Sequence, residues 1–228
     1  MKFKVKEKKF EGVVFDFNGV LLFDSKLQED SWMAFSEIVR GKAFTKEEIS
    51  MHVNGRSTKY VMEYLTGVKV SNAELGQLVI QVDEIYRKNC LANPSEFKLS
   101  SGAIEFLDFL KEKRIAMTIA SSCGRENMQF FFQYLNLGKW FSIEKVVYDK
   151  SDEPRKEDYQ KAAKNIGVIS SHCMVVEDLK DGIKAAHLAG IGIIIAVGPR
   201  SEHQELLQMS TVKQAIESFE ELKYGQLF

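Results

Sequence analysis

The stretch Val13-Val14-Phe15-Asp16-Phe17-Asn18-Gly19-Val20-Leu21-Leu22 constrains this chain more than any other. An apolar run of β-branched and aromatic residues stops at a carboxylate, followed two positions on by an amide and then a glycine. Such a run reads as a strand buried on both faces, as at the centre of a parallel sheet. An ionised carboxylate without partners is costly to bury, so Asp16 is expected where the strand emerges, at its carboxyl end. In an open α/β sheet that end faces the ligand crevice. Alone, Asp16 reads equally well as a turn former after a strand. The balance shifts at Cys173-Met174-Val175-Val176-Glu177-Asp178, a second short apolar run that also ends in acids. Two buried strands bringing carboxylates to one edge make a place for a hard divalent cation such as Mg²⁺, which takes one or two carboxylates plus waters and phosphate oxygens.

The 228 residues suffice for one large domain, or for a core with a smaller insert. Net charge is −1 and the charges are interspersed, with no basic stripe of the kind that binds nucleic acid. Cys90, Cys123 and Cys173 are far apart and form no CxxC pair. Neither a disulfide framework nor a zinc site is expected, and the spacing fits a reducing cytoplasm. The basic opening over residues 1–9 reads as a solvated lead-in to the first strand, because the apolar run behind it is broken by Asp16 and Asn18. No apolar stretch is long enough to span a membrane, and nothing calls for more than a monomer or a weak homodimer.

Residues 25–95 carry helical patterns and no convincing strand. Trp32, Phe35, Ile38 and Val39 recur at helical spacing, and Thr45 with Glu48 forms a capping box. Ser57 is placed to cap a helix carrying Tyr60, Val61, Tyr64 and Leu65 that stops at Gly67. Ser71 opens another helix, and Asn93-Pro94 breaks it. This block reads as an inserted four-helix cap domain, with residues 1–24 and 96–228 as the core. From Ser100 onward helix and strand alternate: strands over Ile115–Ala120, Val146–Val147, Met174–Val176 and Ile193–Val197, helices between them, and a last helix over Gln214–Leu222. The expectation is an α/β fold, a doubly wound, Rossmann-like parallel sheet with helices on both faces.

With these motifs on the page, the chain resembles the haloacid dehalogenase superfamily, in its β-phosphoglucomutase-like and sugar-phosphate phosphatase branch with a helical cap. The resemblance rests on Asp16-Phe17-Asn18-Gly19-Val20, Ile119-Ala120-Ser121-Ser122 and Val176-Glu177-Asp178-Leu179-Lys180-Asp181-Gly182, which occur in the family's order at the ends of strands. It implies that Asp16 attacks phosphorus to form an aspartyl-phosphate, which splits one hard displacement into two easier ones. It implies Mg²⁺ between Asp16, phosphate and Asp178, with Glu177 nearby through water and the Asn18 carbonyl as a further ligand. Ser121 would donate to a transferring oxygen, Ser122 or its amide would assist, and Gly19 would let backbone amides approach phosphate. Ser121 and Asp178 also read as helix N-caps, and Asp181 as a helix-start carboxylate.

Two departures from the family pattern stand out. Where its hydrolases carry an acid/base Asp two residues after the nucleophile, this chain has Asn18, whose amide does not titrate. The family's lysine slot falls on Glu153 in an ungapped match, on Lys156 if the loop is shortened, with Lys150 a third candidate; charge logic favours Lys156. In the helical block, Gly55-Arg56-Ser57 is similar to a pattern that places an Arg over the distal anionic group of a substrate, although a surface Arg at a helix start fits as well. Asp24-Ser25 lies at the hinge into that block. The expected activity is Mg²⁺-dependent hydrolysis of a small phosphorylated metabolite such as a sugar phosphate. The alternatives are a β-phosphoglucomutase-like phosphomutase, or a catalytically weakened member that binds a phospho-ligand.

Overall fold

The computed structural model describes residues 10–148 and 156–223. Six parallel strands form one sheet: β1 (Gly12–Phe15), β2 (Ala116–Ser121), β3 (Val147–Tyr148), β4 (Cys173–Glu177), β5 (Ile193–Val197) and β6 (Val212–Ile216). Their order is β3-β2-β1-β4-β5-β6. The chain winds outward from β1 in one direction and then, from β4, in the other. The crevice where the winding reverses, beyond the carboxyl ends of β1 and β4, is where ligands bind in sheets of this order. All four residues of β1 and all five of β4 are buried, as their unbroken apolar runs require.

Side chains alternate between the faces of the sheet. Val14 and Val175 belong to a core shared with Ala162, Ala163, Ile183 and Ala186, which come from α7 (Lys156–Asn165) and α8 (Lys180–Leu188). On the opposite face Phe15 meets Phe106, Phe141 and Phe219 at centroid distances of 6.1, 5.9 and 6.2 Å. Phe106 lies on α5 (Ala103–Glu112). Beyond β1, Phe17 stacks at 4.5 Å on Phe131 of α6 (Arg125–Tyr134). Leu22 and Leu99 form an antiparallel bridge, braced by Ser100, whose Oγ donates to the Val20 carbonyl and whose N–H donates to that of Leu21.

A second compact unit spans residues 23–98 and holds α1 (Ser25–Arg40), α2 (Lys46–His52), α3 (Thr58–Thr66) and α4 (Asn72–Ala92). Thr45 and Ser71 make complete capping boxes with Glu48 and Glu74, and Ser57 caps α3, which ends at Gly67. Phe35, Phe44, Ile49, Val61, Met62 and Leu65 are among the residues of its own apolar core. Asp24 precedes α1 and makes no side-chain cap bond. It is buried, accepting from the Tyr86 hydroxyl at 2.6 Å and Gln28 Nε2 at 2.9 Å.

One expectation is corrected. The helix anticipated over Gln214–Leu222 is the strand β6 over Val212–Ile216 and a 3-10 turn over Phe219–Glu221. Val212 and Ile216 are the buried positions of β6. The hydrogen bonds offered by β5 make this segment a strand. A short helix, α9 (His203–Leu206), also lies between β5 and β6.

Candidate active site

The site begins with register. Phe15 of β1 pairs with Val176 of β4, and the Asp16 N–H donates to the Val176 carbonyl at 3.0 Å. The next residue on each strand is therefore an acid, and both acids sit at the reversal of strand order. Asp16, Glu177 and Asp178 each present a carboxylate oxygen within 4.8 Å of the others. Glu177 is 1 % exposed, while Asp16 and Asp178 are half-buried.

This crowding shows in the acidities. Burial, followed by the charges of Glu177 and Asp178, pushes the Asp16 carboxyl well above the usual carboxylate range, against the pull of the Phe17 N–H. Glu177 is also pushed up, by burial and then by Asp178, against hydrogen bonds from Leu179 and Tyr159. Like charges held at such separations disfavour ionisation, and a bound cation would reverse that. The donor set consists of hard carboxylate oxygens, which suits Mg²⁺ and not a soft metal.

Two glycines make room for the acids. Gly19 has φ +81°, and a Cβ on it would collide with the Asp178 carboxylate. A Cβ on Gly182, in the first turn of α8, would collide with the Glu177 carboxylate. Gly19 stood out in the sequence as the glycine that would let backbone amides approach phosphate; its service to an acid more than 150 residues on was not readable there.

The remaining candidates are distributed as follows. Asn18 is half-buried in the turn after β1, where it bridges to Leu22. Ser121 ends β2, next to β1, on the same edge as the acids. Its Oγ accepts from the Cys123 N–H at 3.3 Å, and Ser122 is exposed. The N-cap of α6 is Gly124 and that of α8 is Leu179, so neither Ser121 nor Asp178 has the capping role that their types also suggested. Asp181 is on the surface of α8 with Lys184 at 2.8 Å. Lys156 opens α7 with its side chain 52 % exposed and lies 3.9 Å from Glu157, outside the group of acids. Lys150 and Glu153 lie outside the described residues. Arg56 belongs to the helical unit, where its Nε donates to the Met51 carbonyl at 3.2 Å and its guanidinium lies 5.5 Å from the Tyr60 ring centre.

The sequence did not single out Tyr159. It is 3 % exposed in the first turn of α7, and its hydroxyl donates to Glu177 Oε1 at 2.9 Å. Its signal was a polar-tipped aromatic heading a stripe otherwise made of Ala162 and Ala163.

Residues 10–190 match the family model of haloacid dehalogenase-like hydrolases. The chain belongs to that family. It is 33 % identical to a solved haloacid dehalogenase hydrolase of family IA, variant 3, from Entamoeba histolytica, with a TM-score of 0.86 over 95 % of this chain and 97 % of that one. A putative β-phosphoglucomutase from Thermotoga maritima superposes with a TM-score of 0.70 at 27 % identity, covering 92 % of this chain and 95 % of the other. Among curated proteins, a phosphorylated carbohydrates phosphatase of Thermotoga maritima is 28 % identical over 82 % of this chain and 85 % of its own length. A probable pseudouridine-5'-phosphatase of Drosophila melanogaster is 24 % identical over 93 % and 92 %. The haloacid dehalogenase fold and a phosphoric monoester hydrolase class follow. Among the described residues no helix is long and apolar enough to cross a membrane.

Proposed function

We propose that this haloacid dehalogenase-like hydrolase is a Mg²⁺-dependent phosphatase of small phosphorylated metabolites that works through a phosphoryl group carried on Asp16. The observation that supports it is the meeting of Asp16, Glu177 and Asp178 at the reversal of strand order. Asp16, Asp178 and the Asn18 carbonyl would hold the cation, with Glu177 nearby through water. When bound, the cation supplies positive charge that offsets the repulsion between a phosphate dianion and an anionic attacker.

The chain's own groups account for the rest. An Asp16 oxygen forms the new bond to phosphorus as the bond to the substrate's ester oxygen breaks. The Ser121 hydroxyl donates to a phosphoryl oxygen. Water then attacks the aspartyl-phosphate, releasing inorganic phosphate and restoring the carboxylate. Asn18 neither gives a proton to the leaving oxygen nor takes one from the water, so substrates with weakly basic leaving groups are favoured. Residues 25–95 select the substrate, and Arg56 is the group that binds its distal anionic end.

Asn18 also favours a second reading, a weakened member that binds a phospho-ligand and turns it over slowly. Assaying p-nitrophenyl phosphate and a sugar-phosphate panel, with and without Mg²⁺, beside Asp16→Asn separates the two. Turnover that needs both Mg²⁺ and Asp16 is expected. Binding without turnover would favour the second reading, and glucose 6-phosphate formed from β-glucose 1-phosphate would make the protein a mutase.

A further inference from the structure

We infer that Tyr159 is a positioning residue that holds Glu177 by a hydrogen bond, so that the acidic group is already assembled when a cation arrives. This rests on reading Asp16, Glu177 and Asp178 as the cation site. Tyr159 shares the buried stripe of α7 with Ala162 and Ala163. Alanines let a helix lie close to a sheet, and the larger residue one turn earlier then meets the last residue of β4. There its phenol donates to Glu177 Oε1 at 2.9 Å, while the Leu179 N–H donates to Oε2 at 2.5 Å. Each oxygen of this buried carboxylate thus has a donor in place. The Gly182 position closes in so tightly that even a methyl group would strike it.

Packing alone would be served by phenylalanine, so the hydroxyl is the part of Tyr159 that needs a reason. Burial and the surrounding charges of Glu177 and Asp16 push its pKa far up, which keeps the proton on oxygen and the phenol a donor. Carboxylates that repel one another separate unless they are tied, and Tyr159 ties one of the three from a different element of the fold. Partners that orient metal-site residues in this way typically change cation affinity by about 10- to 100-fold.

The test is calorimetric titration of the metal-free protein with MgCl₂, checked by electron paramagnetic resonance with Mn²⁺. It compares wild type, Tyr159→Phe, Glu177→Gln and the double variant, all shown to be folded by circular dichroism. Tyr159→Phe is expected to weaken cation binding about 10- to 100-fold in the wild-type background and far less beside Glu177→Gln. If Phe does not fold at this position, Tyr159→Met removes the same hydroxyl and replaces it in the cycle. Unchanged cation affinity with only a lower melting temperature, or an equal loss in both backgrounds, overturns the inference while leaving the cation site intact. A wild type that binds neither ion overturns the cation site itself, and the inference with it.

Discussion

Two carboxylates, one in each unit of the molecule, have opposite fates. Glu48 in the helical unit receives Arg40 on both oxygens at 2.8 Å, the Thr45 N–H at 2.8 Å and the Tyr64 hydroxyl at 3.1 Å. These partners, Arg40 foremost, hold its pKa down at about 2. Glu177 is buried with Asp16 and Asp178 as neighbours, and its acidity is driven the other way. An acid whose charge the protein itself answers belongs to the architecture. Acids gathered against their own repulsion at a ligand crevice point to something that arrives from outside.

The strongest way to break this contrast is Asp16→Asn. Turnover should fall on the order of 10⁴-fold or more, as expected for loss of a nucleophile. The same variant should raise the melting temperature of the EDTA-treated protein, since one of three crowded charges is gone, and should lose the stabilisation that Mg²⁺ gives wild type. A lower melting temperature in EDTA would mean that the acids do not oppose one another. Next in size is Asn18→Asp, expected to raise hydrolysis of alkyl phosphates on the order of 10²-fold or more by supplying an acid/base. No rise in steady-state rate would show that Asn18 is not the limiting feature.

Gly182→Ala sharpens the comparison through its sign. In an ordinary helix this change stabilises by up to about 1 kcal/mol. Here the added methyl would strike a Glu177 carboxylate that Tyr159 and Leu179 already hold, so urea unfolding should show a loss of about 1–3 kcal/mol. The smallest effect concerns Glu48. Its folded pKa lies below the ordinary 4.5, so its contribution is complete above that value and fades as the pH falls towards about 2. The melting temperature of Glu48→Gln should lie below that of wild type at neutral pH, and the two curves should converge through that window.

What the sequence disclosed follows the range of the interactions involved. The β1 and β4 strands were legible because an unbroken apolar run admits no exposed face, and the acids at their ends marked the edge. The boxes at Thr45 and Ser71 were legible because both partners lie within one turn. The helix expected over Gln214–Leu222 was misread because what makes β6 a strand is its pairing with β5, a partner distant in the local sequence. Tyr159 was hidden because its partner is 18 residues away on another element. The bidentate pairing of Arg40 with Glu48 was hidden for a related reason, since it joins two helices across a loop. Of the three candidates for the slot usually filled by lysine, Lys150 and Glu153 lie outside the described residues, and Lys156 opens α7 with an exposed side chain.

The bridge between Leu22 and Leu99 carries a consequence for ancestry and engineering. The polypeptide departs for its four-helix excursion and returns at a single stitched seam, so a tight turn joining those two leucines would complete the sheet's connectivity without it. A foreign module with neighbouring termini could be spliced at the same seam, giving one chemical engine interchangeable gatekeepers.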